Sequence, residues 1–364
     1  MERTDKYIIN KDGSGIVVTE IDEGAYEGCT TLKSIVIPDG VIRICDFAFR
    51  NCTSLKSVVI SGFVTIIGEG AFSGCTSLES IVIPDGVTSI GDGAFQGCTS
   101  LKNIIIPDSV TNISSYAFYG CVALEYICLP STVTDIGWAA FKGCTSLKSI
   151  NLPDSVTGIN EDAFWGCRSL KSVNMPSGVT VIGMSAFRNC TSLESVFLSN
   201  NIKDIENSVF YGCSSLKYVD VPCGVTRIGS YAFYQCTSLK GIEIPNSVTD
   251  ICGGAFQGCS ALECINIPNS VKTISGSVFA QCSAIKSISI EYENVSNIVT
   301  QKHIFNCIEW EKDACFIAKS AFNGIDKNLC TLYVPFGMKP VYRRHELFGE
   351  FNNIEMGGWK LPLS

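Results

Sequence analysis

The chain has 364 residues, is 46% apolar and 17% charged, and carries a formal net charge of −8. That apolar content excludes a disordered chain, and 27 basic against 35 acidic residues argue against a nucleic-acid partner. Twenty cysteines beside two histidines disfavour a Cys/His zinc protein and turn the question to where the cysteines sit.

In chain order, Met1–Lys6 is charged and no apolar stretch follows it, so no signal peptide is read there. No run anywhere reaches the ~18–20 apolar residues that span a bilayer, so no membrane insertion is expected. Residues 1–28 read as an N-terminal cap and a half repeat. Tyr7-Ile8-Ile9 and the Lys11–Gly15 turn form the cap, and Val18, Ile21 and Tyr26 occupy columns that later hold Val, Ile and Phe. From Cys29 to Cys282, twelve cysteines recur every 23 residues without insertion or deletion, which makes 29–290 a tandem array. A period in the ~20–29 range marks a solenoid, in which each repeat is one coil of a single elongated domain.

One coil reads Cys75-Thr-Ser-Leu-Glu-Ser-Ile-Val-Ile-Pro-Asp-Gly-Val-Thr-Ser-Ile-Gly-Asp-Gly-Ala-Phe95-Gln-Gly. Leu78, Ile81 and Ile83 are apolar with the alternation of a strand buried on one face. Pro84, like the Pro of eight other coils, ends that strand because it cannot donate to the ladder. A turn and a brief extended Val-Thr-x-Ile piece follow. Ile90, Ala94, Phe95 and Cys98 then share one face of a predicted helical turn. Stacking such coils lays Phe72, Phe95, Phe118, Phe141 and Phe164 over one another and joins the strands into one parallel sheet at ~4.8 Å spacing. After Ile290 the register breaks: Glu291–Asn294 replaces Pro-Asp-Gly, and Cys307 lies 25 residues beyond Cys282. Ile317, Ala321 and Phe322 restore a coil, so 291–364 reads as a degenerate repeat and C-terminal cap.

The columns Leu-x-x-Ile-x-Ile-Pro and Ile-Gly-x-x-Ala-Phe-x-x-Cys, over residues 16–335, resemble the BspA-like (Treponema-type) leucine-rich repeats. Leu332–Pro335, Tyr342 and Phe351–Glu355 are similar to the C-terminal cap of such proteins. The resemblance implies an α/β solenoid. This is a right-handed leucine-rich-repeat arc of 23-residue coils, with a parallel sheet on the concave face and short helices or turns on the convex side. It further implies a bacterial source, a cell-surface or secreted location, and a non-catalytic protein-binding role in surface attachment or host-protein binding. The missing signal keeps a cytoplasmic recognition or scaffold protein as the alternative. The expected partner is a host or neighbouring-cell surface protein, or a glycan, and the chain is expected to be a monomer.

No Ser/His/Asp set, phosphate-binding Gly-rich loop or zinc-binding His pair appears, so no catalytic residue, cofactor or metal site is predicted. His303 and His345 lie outside the regular coils, and Asp154 and Glu161 read as solvated turn carboxylates. In the cysteine column, parallel Cβ vectors hold neighbours near ~4.8 Å, beyond the ~3.8 Å of a disulfide, and a linear ladder offers a metal too few ligands. The column therefore reads as buried free thiols, which suit a reducing or anaerobic setting. Cys45, Cys128, Cys223, Cys252, Cys264, Cys307, Cys315 and Cys330 lie off the column, with Cys128 and Cys264 on predicted exposed strand positions. The Thr-Ser after most column cysteines is expected to bond turn backbone rather than to form an ice-binding array. The column from Lys33 to Lys286 alternates Lys with Glu, which relieves like-charge stacking.

Two surfaces vary while the frame repeats. On the concave strand face one column runs Val36, Val59, Val82, Ile105, Cys128, Asn151, Asn174, Phe197, Asp220, Glu243, Asn266, Ser289. Tyr126 and Tyr218 stand two residues earlier in their coils, and the candidate ligand-binding set is Tyr126, Asn151, Asn174, Phe197, Tyr218, Asp220, Glu243 and Asn266. The plainer reading of its β-branched members is strand propensity alone. The alternative surface is an aromatic and basic edge of Tyr119, Trp138, Trp165, Arg188, Tyr211 and Tyr234, with Tyr116, Lys142 and Tyr231 nearby. Its plainer reading is stacking between neighbouring coils.

Overall fold

A computed structural model describes residues 19–292, 298–299 and 315–357. The Tyr7–Ile9 and Lys11–Gly15 cap, Val18, His303 and Cys307 lie outside these residues, as does the side chain of Cys315. The chain divides into two compact units with the boundary between Thr191 and Ser192. Each unit is a run of stacked coils, a parallel-sheet solenoid with almost no helix.

In the first unit the strands Ser34–Val36, Ser57–Val59, Ser80–Ile81, Asn103–Ile105 and Tyr126–Cys128 pair in parallel in chain order. The register joins equivalent columns, Ile35 to Val58 and Ile104 to Ile127, so a buried residue always stacks on a buried one. In the second unit Gly241–Ile242, Cys264–Ile267, Ser287–Ile290, Thr331–Val334 and Asn353–Met356 repeat the arrangement. Two features differ from the single sheet predicted. The coil around Asn151 buries Ile150 and Leu152 in the usual columns but forms no strand there. The brief Val-Thr-x-Ile pieces also pair, making separate parallel ladders such as Glu20–Ile21, Arg43–Ile44, Ile66–Ile67 and Ser89–Ile90.

The predicted helical turn is not a helix. Between Gly91 and Cys98, alternate N–H groups bond in different directions. Those of Ala94, Gln96 and Cys98 reach the carbonyl three residues back, while those of Gly93, Phe95 and Gly97 reach Ser115, Ala117 and Tyr119 of the next coil. That alternation places two residues per coil in the left-handed region, as at Gly93 (φ 59°) and Gly97 (φ 69°). Equivalent positions hold Tyr116, Ala139 and Asp162 in other coils. The i, i+4 apolar spacing that suggested a helix is met instead by two consecutive tight turns, which still turn Ala94, Phe95 and Cys98 inward.

The core is a set of ladders. Ring centroids from Phe49 to Phe187 are 5.2 to 5.6 Å apart with planes within 8°. In the second unit Phe210, Phe233, Phe256, Phe279 and Phe322 continue the pattern at 5.4 to 5.8 Å. Offset stacks of this kind add ~0.5–1.5 kcal/mol per pair beyond burial. The cysteine column runs beside the rings, and the thiols from Cys75 to Cys190 donate to a phenylalanine carbonyl of the preceding coil, as Cys75 Sγ does to Phe49 O at 3.1 Å. That carbonyl already accepts the N–H of Cys52, so the thiol fills its second lone pair. Threonines do the same at the surface: Thr88 Oγ1 donates to Thr65 O, and Thr99 Oγ1 to Thr76 O. Beyond the strand Thr331–Val334 comes the one α-helix among the described residues, Lys339–Arg344. It buries Tyr342, whose hydroxyl donates to Tyr292 O at 2.9 Å, while Phe348 and Phe351 pack against Phe322. His345 lies against Phe348 at 5.0 Å.

Candidate functional site

The strand positions fix which side chains face outward, because successive residues of a strand point to opposite faces. In the first unit Val36, Val59, Val82 and Ile105 stand out of the sheet, Val82 and Ile105 with 78% and 71% of their surface exposed. Beside them runs a mostly polar column, Ser34, Ser57, Ser80, Asn103, Tyr126, Ser149 and Ser172. Tyr126, Asn151 and Asn174 are exposed in this unit, and Lys148 Nζ approaches the Tyr126 ring at 5.5 Å. The same ammonium is bonded to Glu125 and holds that carboxyl below its ordinary value.

In the second unit Phe197 is 58% exposed and Tyr218 is 54% exposed. Asp220 and Glu243 stand exposed in the column of Phe197, while Asn266 is half-buried. The structure gathers Tyr218, Asp220 and Glu243: burial and then the charges of Asp220 and Glu243 push the Tyr218 phenol up. Asp220, Glu243 and Asn266 line one open groove of ≈540 Å³ together with Glu291 and Cys223. Ser289 and Cys264, both expected on the outside, are buried. Cys264 sits in the longest-stranded part of the ladder, between Gly241 and Ser287, with the Glu263–Lys286 ion pair beside it. Glu291 was not among the candidates, because it lies past the register break; the replacement of Pro-Asp-Gly there was the available signal.

The edge is built differently, because its groups meet one another. In the first unit Trp138 stands edge-on to Tyr116 at 4.7 Å, and Tyr116 stands edge-on to Tyr119 at 5.8 Å. The Trp165 ring holds two cations, Lys142 Nζ at 3.6 Å and the Arg188 guanidinium at 5.0 Å. Lys142 also bonds the buried Asp162 carboxylate at 2.8 Å, a pair of adjacent coils that sequence spacing did not reveal. In the second unit Tyr211 stacks on Tyr234 at 4.5 Å, and Tyr231 meets Tyr234 edge-on. These contacts join rings both within one coil and between neighbouring coils. The charged column from Lys33 to Lys286 pairs at places where its sign changes, Lys217 with Glu194 and Lys286 with Glu263. Among the described residues no three His, Cys, Asp or Glu side chains are grouped to hold a metal ion. No helix among them is long and apolar enough to cross a membrane.

The family described as BspA type leucine rich repeat region matches residues 19–144, 111–240 and 204–328. A leucine-rich repeat protein from Bacteroides ovatus is similar in structure, with 31% identity, 82% of this chain and 87% of that one covered, and a TM-score of 0.58. A leucine rich cell surface protein from Faecalibacterium prausnitzii is similar over 75% of this chain and 83% of that one, with 32% identity and a TM-score of 0.51. The pneumococcal vaccine antigen PcpA shares the fold at 19% identity and a TM-score of 0.57, over 98% of this chain and 84% of that one. A search of curated proteins finds no match.

Proposed function

Because the chain belongs to the BspA-type leucine-rich-repeat family, we propose that it is a non-catalytic protein-binding module of a bacterium, with surface attachment or host-protein binding as its role and the strand face as its binding surface. A similar protein of 32% identity, from Faecalibacterium prausnitzii, is a cell surface protein, which favours attachment over an internal scaffold. The observation that carries the choice of face is the exposure of Phe197 and Tyr218 on a strand frame whose backbone is fixed by its ladder. Large aromatics supply most interface hot spots, and a rigid support spares the partner the cost of ordering loops. The edge rings contact one another or Lys142 and Arg188, which gives them a packing role that Phe197 and Tyr218 do not share.

The test is capture of surface proteins from host-cell extract by the full chain, quantified by mass spectrometry. Phe197→Ala/Tyr218→Ala is expected to lose the captured partner while Trp165→Ala/Tyr211→Ala keeps it. Loss confined to the second variant would move the site to the edge.

A further inference from the structure

The strand face of the second unit carries a particular chemistry. The groove of ≈540 Å³ is lined by three carboxylates, Asp220, Glu243 and Glu291, and by no Lys or Arg. A second groove of ≈750 Å³ shares Asn266 and Glu291 with it and adds an apolar wall that includes Val334, Pro335 and the exposed Phe336. Asn266 Nδ2 donates to Glu291 Oε1 at 2.9 Å, which fixes the orientation of its amide. Its Oδ1 is then a shielded acceptor without a partner among the described residues. So this surface presents acceptors and negative charge, and its only side-chain donors are neutral ones such as the Asn200 and Asn246 amides.

Shape adds an independent observation. The column that holds Tyr218 holds Gly241 one coil later, and a Cβ built on Gly241 would meet nothing within 4 Å. The missing side chain leaves open space next to an exposed phenol ring and beside Glu243. The backbone there is ordinary strand, so the glycine is not required by conformation.

We propose that this face receives an extended, arginine-bearing segment of a partner protein, with one arginine entering the space over Gly241 against the Tyr218 ring and paired to the Asp220 and Glu243 carboxylates. Arginine fits each feature. Its guanidinium has only donors, is planar enough to lie on an aromatic ring, and keeps its charge when partly desolvated. A lysine would satisfy the charge and can approach a ring, as Lys142 does Trp165, but it has no planar face to lie on the ring and no fork of donors to share between two carboxylates. The apolar wall beyond Glu291 would take the aliphatic part of the segment that follows. This assignment rests on the strand face being the binding surface, and it names the partner's chemistry there.

The probe is a fluorescein-labelled peptide, Gly-Ser-Arg-Ser-Arg-Ser-Gly, titrated with the full chain and followed by anisotropy. The same peptide with citrulline in place of arginine is the control. Asp220→Asn/Glu243→Gln is expected to weaken arginine-peptide binding by about tenfold or more, the scale of close charge pairs across an interface. Gly241→Leu, which fills the space and changes no charge, is expected to weaken it comparably. Glu79→Gln/Glu125→Gln removes the same charge from the first unit and is expected to leave binding unchanged. Equal loss in both carboxylate pairs would reduce the effect to general acidity and overturn the proposal. So would wild-type affinity in Gly241→Leu, equal binding of the citrulline peptide, or no binding of the arginine peptide at all. If the peptide fails while Phe197→Ala/Tyr218→Ala still loses the captured host protein, the strand-face reading survives and the arginine site does not.

Discussion

At the scale of single residues, each ladder phenylalanine is held twice, by burial and by rings above and below. Phe141 stacks on Phe118 at 5.4 Å and on Phe164 at 5.3 Å, and it is fully buried. Phe141→Ala or Phe164→Ala is expected to cost about 3–5 kcal/mol, from lost burial plus the cavity left between two coils that cannot close on it. Urea unfolding of these variants beside Phe63→Ala, an exposed turn position, checks the number: the surface change should cost almost nothing. The ladder thiols make a pH prediction. Burial first, then neighbouring thiols in some coils, pushes Cys75, Cys121, Cys190 and Cys282 from 9.0 up to about 12. The unfolded chain releases these protons near pH 9 while the folded chain keeps them, so unfolding gains as pH rises. Their contribution is fully present below pH 9 and is lost as pH climbs toward 12. Thermal melts should therefore fall steadily over that window. Reagent titration at neutral pH should reach exposed Cys128 and Cys223 first and the ladder cysteines only after unfolding. Thiols missing in pairs from the unfolded, unreduced chain would contradict it.

At the scale of the element, the turn segment decides which glycines matter. Gly143 has φ 78°, and an added Cβ would meet only Gly120 atoms at 3.7 Å and 3.8 Å, so Gly143→Ala carries the left-handed penalty alone, ~1–2 kcal/mol. Gly137 has ordinary φ, but its Cβ would lie 2.6 Å from Ile113 O, so Gly137→Ala must push one coil off the next at about 1–3 kcal/mol. Calorimetric melts of the two variants separate these causes. Following Gly143→Ala with Ala139→Gly, at φ 49°, should recover stability, because it relieves the same kind of strain. Much of this element was legible in the sequence. Alternating Ile-x-Ile before Pro gave the strand faces, and the Phe and Cys columns gave the ladders. The helix reading failed because i, i+4 spacing is shared by two tight turns; the Gly or Asn one residue before most column cysteines, and the Gly or Ser five before several, were the available signal. The burial of Cys264 and Ser289 was not legible from parity, since both sit in four-residue strands and Ser289 is flanked in the ladder by Asn266 and Tyr333.

At the scale of the whole molecule, the repeat separates two jobs. Inward columns are nearly invariant, because each must stack on its copy 23 residues away. Outward columns are free of that demand, and there the sequence changes from Val and Ile in the first unit to Tyr, Asp and Glu in the second. The candidate columns could be read from parity alone. Their assembly with Glu291 and Asn266 into grooves could not, because Glu291 follows a break in the period. The exposure of side chains on a frame this regular is what ties the fold to binding, and side-chain footprinting reads it directly. The most direct measurement is hydroxyl-radical footprinting of the full chain, free and with the host protein it captures. Protection is predicted at Phe197 and Tyr218, with Trp138 and Tyr231 as reactive as in the free chain. Protection of Trp138 and Tyr231 with Phe197 and Tyr218 unchanged would contradict the account.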